Sequence, residues 1–443
     1  MKHLAITLDG YDTNFSGCTT HYTIFLIKKI LKEINGAKLV KGPYLVRLNP
    51  NIPLKTRGNA SVSFLVDVSS GSSVEKILSL HRRYSEKYSS TNERNGKGTI
   101  LISEDPVDIV KKEAYNIYKK ALSDYVPIIE GIRFADKFGL VFEGEKSIIG
   151  AVSALGYMYS GDDSTFELLA YRMPGETGER KIDNLTAGKV LLSYKTLFNN
   201  FDEKRKLLVA SPKGPDPVLI GIRGYEPKDM VDAFYKLKIE EKIWEWCIFK
   251  TNQHTDAHKV FRRINDLRVY QAAYIYGTVT KKPEVKKGGH VLIEVSDGSG
   301  TIDVIFYSET NPMNEIASRL KEGDNIGILG GAVEKKDEGI IFEAEKLWVY
   351  FLSPTVKELN PLCPKCGKRL KSAGKGKGYK CDNCGFKTSE KLEKIKIIEK
   401  RDILFGPYTP RSGRIRHLVK PASLESIVLP KANDDIGNRT CSF

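Results

Sequence analysis

Leu4-Ala5-Ile6-Thr7-Leu8-Asp9-Gly10-Tyr11-Asp12-Thr13-Asn14-Phe15-Ser16-Gly17-Cys18-Thr19-Thr20 reads as a strand, a polar loop and the start of a helix. From Cys18 or Thr19 onward, Tyr22, Phe25, Leu26, Ile30 and Ile34 recur at three- and four-residue steps, and Gly36 marks the stop. Tyr44 to Leu48 and Ser61 to Val68 read as strands, Val74 to Tyr88 as a helix and Thr99 to Ser103 as a strand. The order βαββαβ is the split-βαβ, ferredoxin-like pattern.

Outward from there, Val107 to Leu122 reads as a helix, Gly144 to Gly156 as a run of small apolar residues, and Phe166 to Tyr171 as an apolar stretch. Strands are expected at Lys206 to Ala210, Val218 to Ile222 and Trp246 to Phe249, with a helix over Pro227 to Lys238. Residues 1–195 and 196–262 together predict one large α/β region. Over 263–352 the pattern changes to five strands: Val269 to Val279, Val291 to Ser296, Thr301 to Phe306, Asn325 to Gly330 and Ile340 to Val349. A helix fits at Asn311 to Leu320 and a hairpin turn at Asp297 to Gly300, which is the OB-fold barrel. Such barrels commonly bind single-stranded nucleic acid through aromatic side chains on one face.

The 443 residues suit three domains and a small fourth, and 41% apolar residues exclude a disordered chain. No stretch approaches the roughly 20 apolar residues that span a bilayer, and charge interrupts the N-terminus too early for a secretory signal, so no membrane association and a cytoplasmic protein are expected. The net charge of +15 calls for a polyanionic partner. Residues 355–443 carry +11 of it and the first 354 only +4, which assigns the attraction to the C-terminal fifth.

That fifth, 353–443, holds Cys363-Pro364-Lys365-Cys366-Gly367 and Cys381-Asp382-Asn383-Cys384-Gly385, with fourteen residues between the pairs. The spacing brings four thiolates around a tetrahedral, structural Zn²⁺ in a zinc ribbon. A disulfide framework would need an oxidising compartment. Lys365, Lys368, Arg369, Lys371, Lys375, Lys377 and Lys380, with Tyr379 and no acidic residue among them, make the lobe an RNA- or DNA-binding candidate.

Four polar stretches carry candidate chemistry. Asp9 and Asp12, in the first loop, suit Mg²⁺ and ATP phosphates, with Thr19 and Thr20 at the helix start; the same residues also suit a plain N-cap and turn. Between two strands, Arg47, Lys55 and Arg57 stand with Asn49, Asn51 and Asn59 in a Pro/Gly-fixed turn able to clamp phosphate oxygens. Asp216 to Gly224 includes Arg223, and Asn252, Gln253, Asp256 and His258 follow a strand as pocket lining.

These stretches, with Asp163 to Arg172 and Arg416-His417-Leu418-Val419-Lys420-Pro421, resemble in their shared order the archaeal tRNA-isoleucine 2-agmatinylcytidine synthetases, the TiaS family, over nearly the whole chain. The resemblance implies a kinase-like catalytic region within 1–195, an α/β segment over 196–262 completing it with the ferredoxin-like part, then the OB-fold and the zinc ribbon with its basic tail. It implies an ATP-dependent ligase that phosphorylates the 2-oxo group of the wobble cytidine in the CAU anticodon of an isoleucine tRNA. The amine of agmatine then displaces the phosphate, which enables AUA decoding. Thr19 falls on the threonine phosphorylated in the family, and Arg416, His417 and Lys420 join the zinc lobe's cations as expected tRNA contacts. Where the family usually reads Asp-Asp-Thr-Asp-Ser, this chain has Asp9-Gly10-Tyr11-Asp12-Thr13, so Asp216 or Asp256 is the expected substitute carboxylate. Glu167, Asp216, Glu226 and Asp256 are the carboxylates available to dicationic agmatine.

The competing expectation is a non-enzymatic RNA- or single-stranded-DNA-binding protein using only the barrel and the zinc lobe. About 260 residues of α/β structure carrying polar loops favour the enzyme.

Overall fold

The computed structural model describes residues 2–12, 17–53, 55–56, 59–69, 73–85, 98–335, 339–390, 392–434 and 441–443. Arg57, expected as a phosphate clamp, lies outside them. Strands β1 (Lys2–Asp9), β2 (Lys38–Arg47), β3 (Ala60–Val68) and β4 (Thr99–Glu104) alternate with helices α1 (Thr19–Glu33) and α2 (Ser73–Ser85). They pair in the order β4-β1-β3-β2, all antiparallel, which is the split-βαβ arrangement. Period-two alternation sorts their side chains: Leu4, Ile6, Val62 and Phe64 pack with α1 and α2, while Ala5, Leu65 and Leu101 pack on the opposite face.

That opposite face is covered by α3 (Asp108–Ala121), α4 (Ile128–Lys137) and, after β5 (Val141–Glu143), by α5 (Ile148–Met158). Helix α5 is buried all round, and its small residues let it come close. A Cβ on Gly150 would run into the Asp9 carboxylate and the Ser61 hydroxyl, and one on Gly156 into the α3 backbone at Ala114.

Beyond α5 the chain adds β6 (Thr165–Arg172), α6 (Asn184–Leu192), the hairpin β7 (Phe201–Asp202) and β8 (Leu207–Leu208), then β9 (Val218–Gly224), α7 (Pro227–Lys236) and β10 (Ile243–Thr251). The eight-stranded sheet runs β5-β4-β1-β3-β2-β10-β6-β9. Its seam is the short parallel pairing of β10 with β2, Lys250 opposite Tyr44 and Thr251 opposite Leu45. The expected strand over Lys206 to Ala210 is reduced to the two residues of β8. The Asp202 carboxylate accepts from the amides of Lys204 and Arg205 at 3.1 Å each and Lys206 takes φ +52°, so the polar half of that segment is a turn.

Residues 272–351 form the barrel: β11 (Ala272–Val279), β12 (Glu284–Val285), β13 (Val291–Ser296), β14 (Thr301–Phe306), α8 (Met313–Ser318), β15 (Asn325–Lys335) and β16 (Gly339–Phe351). The order β11-β15-β16-β14-β13 closes through β11 pairing with β13, and Asp297 to Gly300 makes the expected turn. The zinc lobe follows. There β17 (Thr355–Leu359) pairs with a later strand, and β18 (Lys371–Ser372), β19 (Tyr379–Lys380) and β20 (Lys387–Thr388) make a small sheet. The partner of β17 is β21 (Ile395–Glu399), and β22 (Gly406–Tyr408) returns to pair with β16.

The described residues beyond β22 do not trail away as a basic tail. They cross back over the α/β region, where His254 and Asp256 donate backbone amides to the carbonyls of His417 (2.7 Å) and Leu418 (2.9 Å). The buried Lys250 ammonium donates to the carbonyls of Lys431 (2.7 Å) and Asp434 (2.6 Å), and Cys441 is disulfide-bonded to Cys247 on β10. No helix among the described residues is long and apolar enough to cross a membrane.

Candidate active site

A cavity of about 400 Å³ opens where the carboxyl end of β1, the β2–β3 connection, β6, β9 and the returning C-terminal segment meet. Its wall includes Asp12, Cys18, Thr19 and Thr20 from the first loop and helix, and Arg47, Lys55 and Asn59 from the β2–β3 connection. Glu167, Asp216 and Arg223 come from β6 and β9 and the segment before it, and Arg416 and His417 from the C-terminal segment.

The first loop decides between capping and chemistry. Cys18 occupies the N-cap position of α1 without a side-chain cap, so neither threonine serves as one. Thr19 instead donates through Oγ1 to Asp12 Oδ1 at 3.0 Å and accepts from the Tyr11 amide at 3.2 Å, which holds its hydroxyl beside a carboxylate at the cavity wall. Gly10, at φ +85°, turns the loop, and a Cβ there would collide with Ser147. Tyr11 points into the core, stacked on Tyr22 with ring centroids 4.4 Å apart and its hydroxyl 3.4 Å from His81 Nε2. This loop's departure from the family pattern therefore builds an aromatic cluster behind the site.

Asp9 is not among the cavity-lining residues. Its carboxylate accepts from the Ser61 hydroxyl at 2.9 Å against α5. Burial pushes its carboxyl up to about 8, the Ser61 bond pulls against that, and Asp12 adds a smaller upward push.

Glu167 is the hub of the opposite wall. Its side chain is 4% exposed, with Arg223 Nε 3.2 Å from one oxygen and Arg47 Nη2 4.0 Å from the other, which also accepts from Gln253 Nε2 at 2.6 Å. Burial lowers the Arg47 pKa, and Glu167 works against that shift. Gln253 Oε1 meets His417 Nδ1 at 2.9 Å. His417 faces the cavity, and burial followed by Arg47 and Arg223 pushes its pKa well below the ordinary histidine value, which keeps it neutral.

The Thr251-to-His258 stretch supports the wall from behind. Asn252 clamps the Arg47 backbone from both sides, accepting from its amide and donating to its carbonyl at 2.8 Å each. Asp256 accepts from the Lys420 amide (2.6 Å) and pairs with the buried Lys346 (2.6 Å). His258 Nε2 lies 2.9 Å from Glu345 Oε2. Of the residues expected to bind ATP or substrate, Thr20, Arg47, Asn59, Asp216 and Arg223 line the cavity, whereas Asn252, Gln253, Asp256 and His258 do not. Arg416 and His417, expected among the tRNA grips, stand in the cavity wall, while Lys420 lies behind it. The apolar wall of Leu48, Pro50, Val209, Ala210 and Pro212 has no signal in the sequence.

The four cysteine sulfurs at 363, 366, 381 and 384 lie within 4.8 Å of one another. Cys363–Cys384 and Cys366–Cys381 are 3.5 Å apart, close to the roughly 3.8 Å edge of a tetrahedron with Zn–S bonds of about 2.3 Å. Gly367 and Gly385 donate their amides to the carbonyls of Cys363 and Cys381, giving two matching knuckles that fit Zn²⁺. The lobe's own core is only Cys363, Leu370 and Cys381 with a few half-buried neighbours, too small to hold without a metal. Lys365, inside the first pair, and the six basic residues between the pairs are all exposed. On the barrel, Tyr276 and Tyr350 are exposed with centroids 5.7 Å apart, and Lys259 sits over Tyr274 and Trp348.

Comparison with known proteins matches residues 5–81 to the TiaS TCKD domain, 145–258 to the TiaS FLD domain, 273–350 to an OB-fold nucleic acid binding domain and 360–403 to the TiaS C-terminal zinc ribbon domain. The isoleucine-tRNA 2-agmatinylcytidine synthetase TiaS of Thermofilum pendens is 36% identical over 438 residues, covering 95% of this chain and 94% of the relative. That of Methanocaldococcus jannaschii is 34% identical, covering 97% and 100%. Among solved structures, apo TiaS superposes with a TM-score of 0.84 at 28% identity, covering 96% of this chain and 98% of that one. The complex of TiaS with its isoleucine tRNA and ATP gives 0.80 at 27%, covering 97% and 98%.

Proposed function

Because the chain belongs to the isoleucine-tRNA 2-agmatinylcytidine synthetase (TiaS) family, we propose that its cavity joins agmatine to the wobble cytidine of an isoleucine tRNA with a CAU anticodon. ATP is the energy source, and tRNA and agmatine are the partners. The cytidine 2-oxo group is amide-like and leaves poorly. Phosphorylation converts it to a phosphate leaving group, which the primary amine of agmatine then displaces at C2. The base must leave the anticodon stack to enter, and this costs least in an already single-stranded loop.

The observation that carries this reading is the cavity itself: the Thr19–Asp12 pair shares about 400 Å³ with Lys55, Arg47, Arg223 and Arg416 and with two carboxylates, Glu167 and Asp216. The cations suit phosphate oxygens and the charge that develops in phosphoryl transfer. Glu167 is already paired with Arg47 and Arg223, so Asp216 is the carboxylate that suits the dicationic amine. Asp12 supplies oxygen donors of the kind Mg²⁺ takes and is the residue that would hold it; when bound, the ion would neutralise phosphate charge. We assign Thr19 as the phosphorylated threonine, with Asp12 orienting its hydroxyl. The exposed lysines of the zinc lobe and the barrel tyrosines serve the tRNA body. The enzyme works in the cytoplasm, where its tRNA is.

The test incubates the protein with labelled agmatine, ATP and a CAU-anticodon isoleucine tRNA transcript. Label enters the tRNA if the reading holds; none entering at any Mg²⁺ concentration overturns it. A protein that bound RNA through the barrel and lobe alone would also be indifferent to Asp12→Asn.

A further inference from the structure

Arg416 reaches the cavity from the C-terminal segment, yet both carboxylates that hold it belong to the barrel. Its Nη1 donates to Glu345 Oε1 at 2.7 Å and to Asn51 Oδ1 at 3.0 Å, and its Nη2 donates to Glu343 Oε2 at 3.1 Å. Glu345 is 4% exposed and its other oxygen takes His258 Nε2 at 2.9 Å. Burial pushes the Glu345 carboxyl up, but Arg416 and His258 outweigh it and hold the group below the usual glutamate range. Glu345 is therefore an ionised acceptor, and His258 Nε2 carries the proton between them.

A purely adhesive role accounts poorly for this cluster. Ionised groups buried at an interface add little net stability over apolar residues of the same size. Geometry offers another reason. Arg416 stands in a cavity that already holds Arg47, Arg223 and Lys55. Mutual repulsion and the rotamer entropy of a free arginine both favour its swinging out to solvent. Glu167 already serves Arg47 and Arg223, so the countercharge for Arg416 has to come from elsewhere. The barrel supplies it through Glu343 and Glu345 of β16, which alternate with the core residues Phe342 and Ala344 and so point out of the barrel toward Arg416. The barrel also abuts the loop carrying Lys55: Asn49 donates to the Tyr270 carbonyl at 2.7 Å, and a Cβ on Gly331 of β15 would run into Asn51.

We propose that Glu345, with His258 behind it, is a positioning residue of the active site: it pins the Arg416 guanidinium in the cavity so that this group meets a phosphoryl oxygen of ATP or of the tRNA backbone. The proposal rests on the function proposed above for the identity of the anions. It gives the barrel a part in building the catalytic cavity, separate from its hold on the tRNA body.

The test is a double-mutant cycle on Glu345→Gln, Arg416→Ala and the pair, in the full-length zinc-loaded protein. Binding is read in two arms: ATP without tRNA, and the tRNA transcript without ATP. The glutamine side chain keeps the shape and its carbonyl oxygen can still accept from Arg416, while its NH2 meets His258 Nε2, which must then carry its proton on Nδ1, so the charge and the His258 N–H donation are lost together. Arg416→Ala should weaken one ligand about tenfold. Glu345→Gln should weaken that same ligand about three- to fivefold, and the double variant should bind no worse than Arg416→Ala alone, a non-additivity that a general loss of folding does not produce. The arm that responds identifies which anion Arg416 meets. Wild-type binding by either single variant in both arms, or losses that multiply in the double variant, would overturn the proposal. If Glu345→Gln does not fold, Glu343→Gln replaces it in the cycle. That variant should show a smaller loss in the same arm, again absorbed by Arg416→Ala, and no loss would overturn the proposal. Agmatine incorporation by the wild type is read separately, so failure of the assigned reaction is distinguishable from failure of this positioning role.

Discussion

The cavity and the zinc lobe both gather positive charge, and they do so by opposite means. In the cavity, Arg47 and Arg223 share Glu167, and Arg416 is held by Glu343 and Glu345, so nearly every cation has a countercharge and a fixed direction. In the lobe the basic residues stand on a short loop in solvent; Lys371 reaches Asp382 at 2.7 Å, but both partners are exposed and the pair contributes little. A compensated cation acts at short range on one atom of a ligand. An uncompensated one acts at long range on any polyanion, and salt screens it. The difference explains how a chain with +15 net charge also keeps a pocket fit for a dicationic amine.

The sharpest way to break this contrast is to remove the cavity's chemistry and watch the lobe. Asp12→Asn or Thr19→Ala should lower agmatine incorporation by about 10³-fold or more while leaving tRNA affinity near wild type. A parallel fall in tRNA binding would mean that the two regions are not separable. The converse is chelation of the metal, or Cys381→Ser. Several phosphate contacts should go together, weakening tRNA binding by roughly a hundredfold at moderate salt in a filter-binding titration, with ATP binding at the cavity retained. Equal loss of both would make the lobe structural for the whole chain.

Acid sharpens the contrast from the stability side. Burial pushes His21 down to about 4, and burial with Arg223 does the same to His254, both in the α/β region. Below the ordinary histidine pKa of about 6.5 the unfolded chain binds protons that the folded one refuses. For these two histidines, stability of the α/β region should fall as the pH drops from about 6.5 toward 4, by up to about 1.4 kcal/mol per pH unit for each, while Asp9, protonated in the folded state below about 8, adds a slope of opposite sign between about 8 and 4 that offsets part of the fall. Denaturant melts read by α/β-region fluorescence test this, and Phe or Gln at both histidine positions should remove their share of the fall and leave the opposite slope of Asp9. The smallest expected effect is that of single lobe cations. Lys375→Ala or Lys377→Ala should weaken tRNA binding only a few-fold and reduce the salt slope by about one. The same substitution at Arg47 or Arg223 should leave the slope unchanged and act on turnover.

What the sequence reveals follows the same division. Cys363, Cys366, Cys381 and Cys384 are local, so spacing alone predicts their site. The βαββαβ order and the five barrel strands are legible because apolar period-two and period-3.6 patterns report burial on one face. Helices α4 and α6 escape such a reading because each buries only three residues, including a glycine, which leaves no continuous stripe. The cavity is half legible. Thr19, Arg47, Lys55, Asp216 and Arg223 stand out because they sit in, or at element ends beside, loops punctuated by Gly, Pro or Asn. A polar run such as Thr251 to His258, however, looks the same whether it faces ligand or supports the residues that do. Asn252 and His258 are of the second kind, and only the sheet register and the barrel contacts reveal it. The Cys247–Cys441 pair spans 194 residues and leaves no spacing to read.

The path of the C-terminal segment sets an order of events during synthesis. Arg416, His417 and Leu418 complete the cavity, yet they are translated after the barrel and after the zinc lobe at 360–403. The α/β region, emerging first, can fold early. A nascent chain on the ribosome thus lacks one wall of this cavity until the barrel and the zinc lobe have both been made.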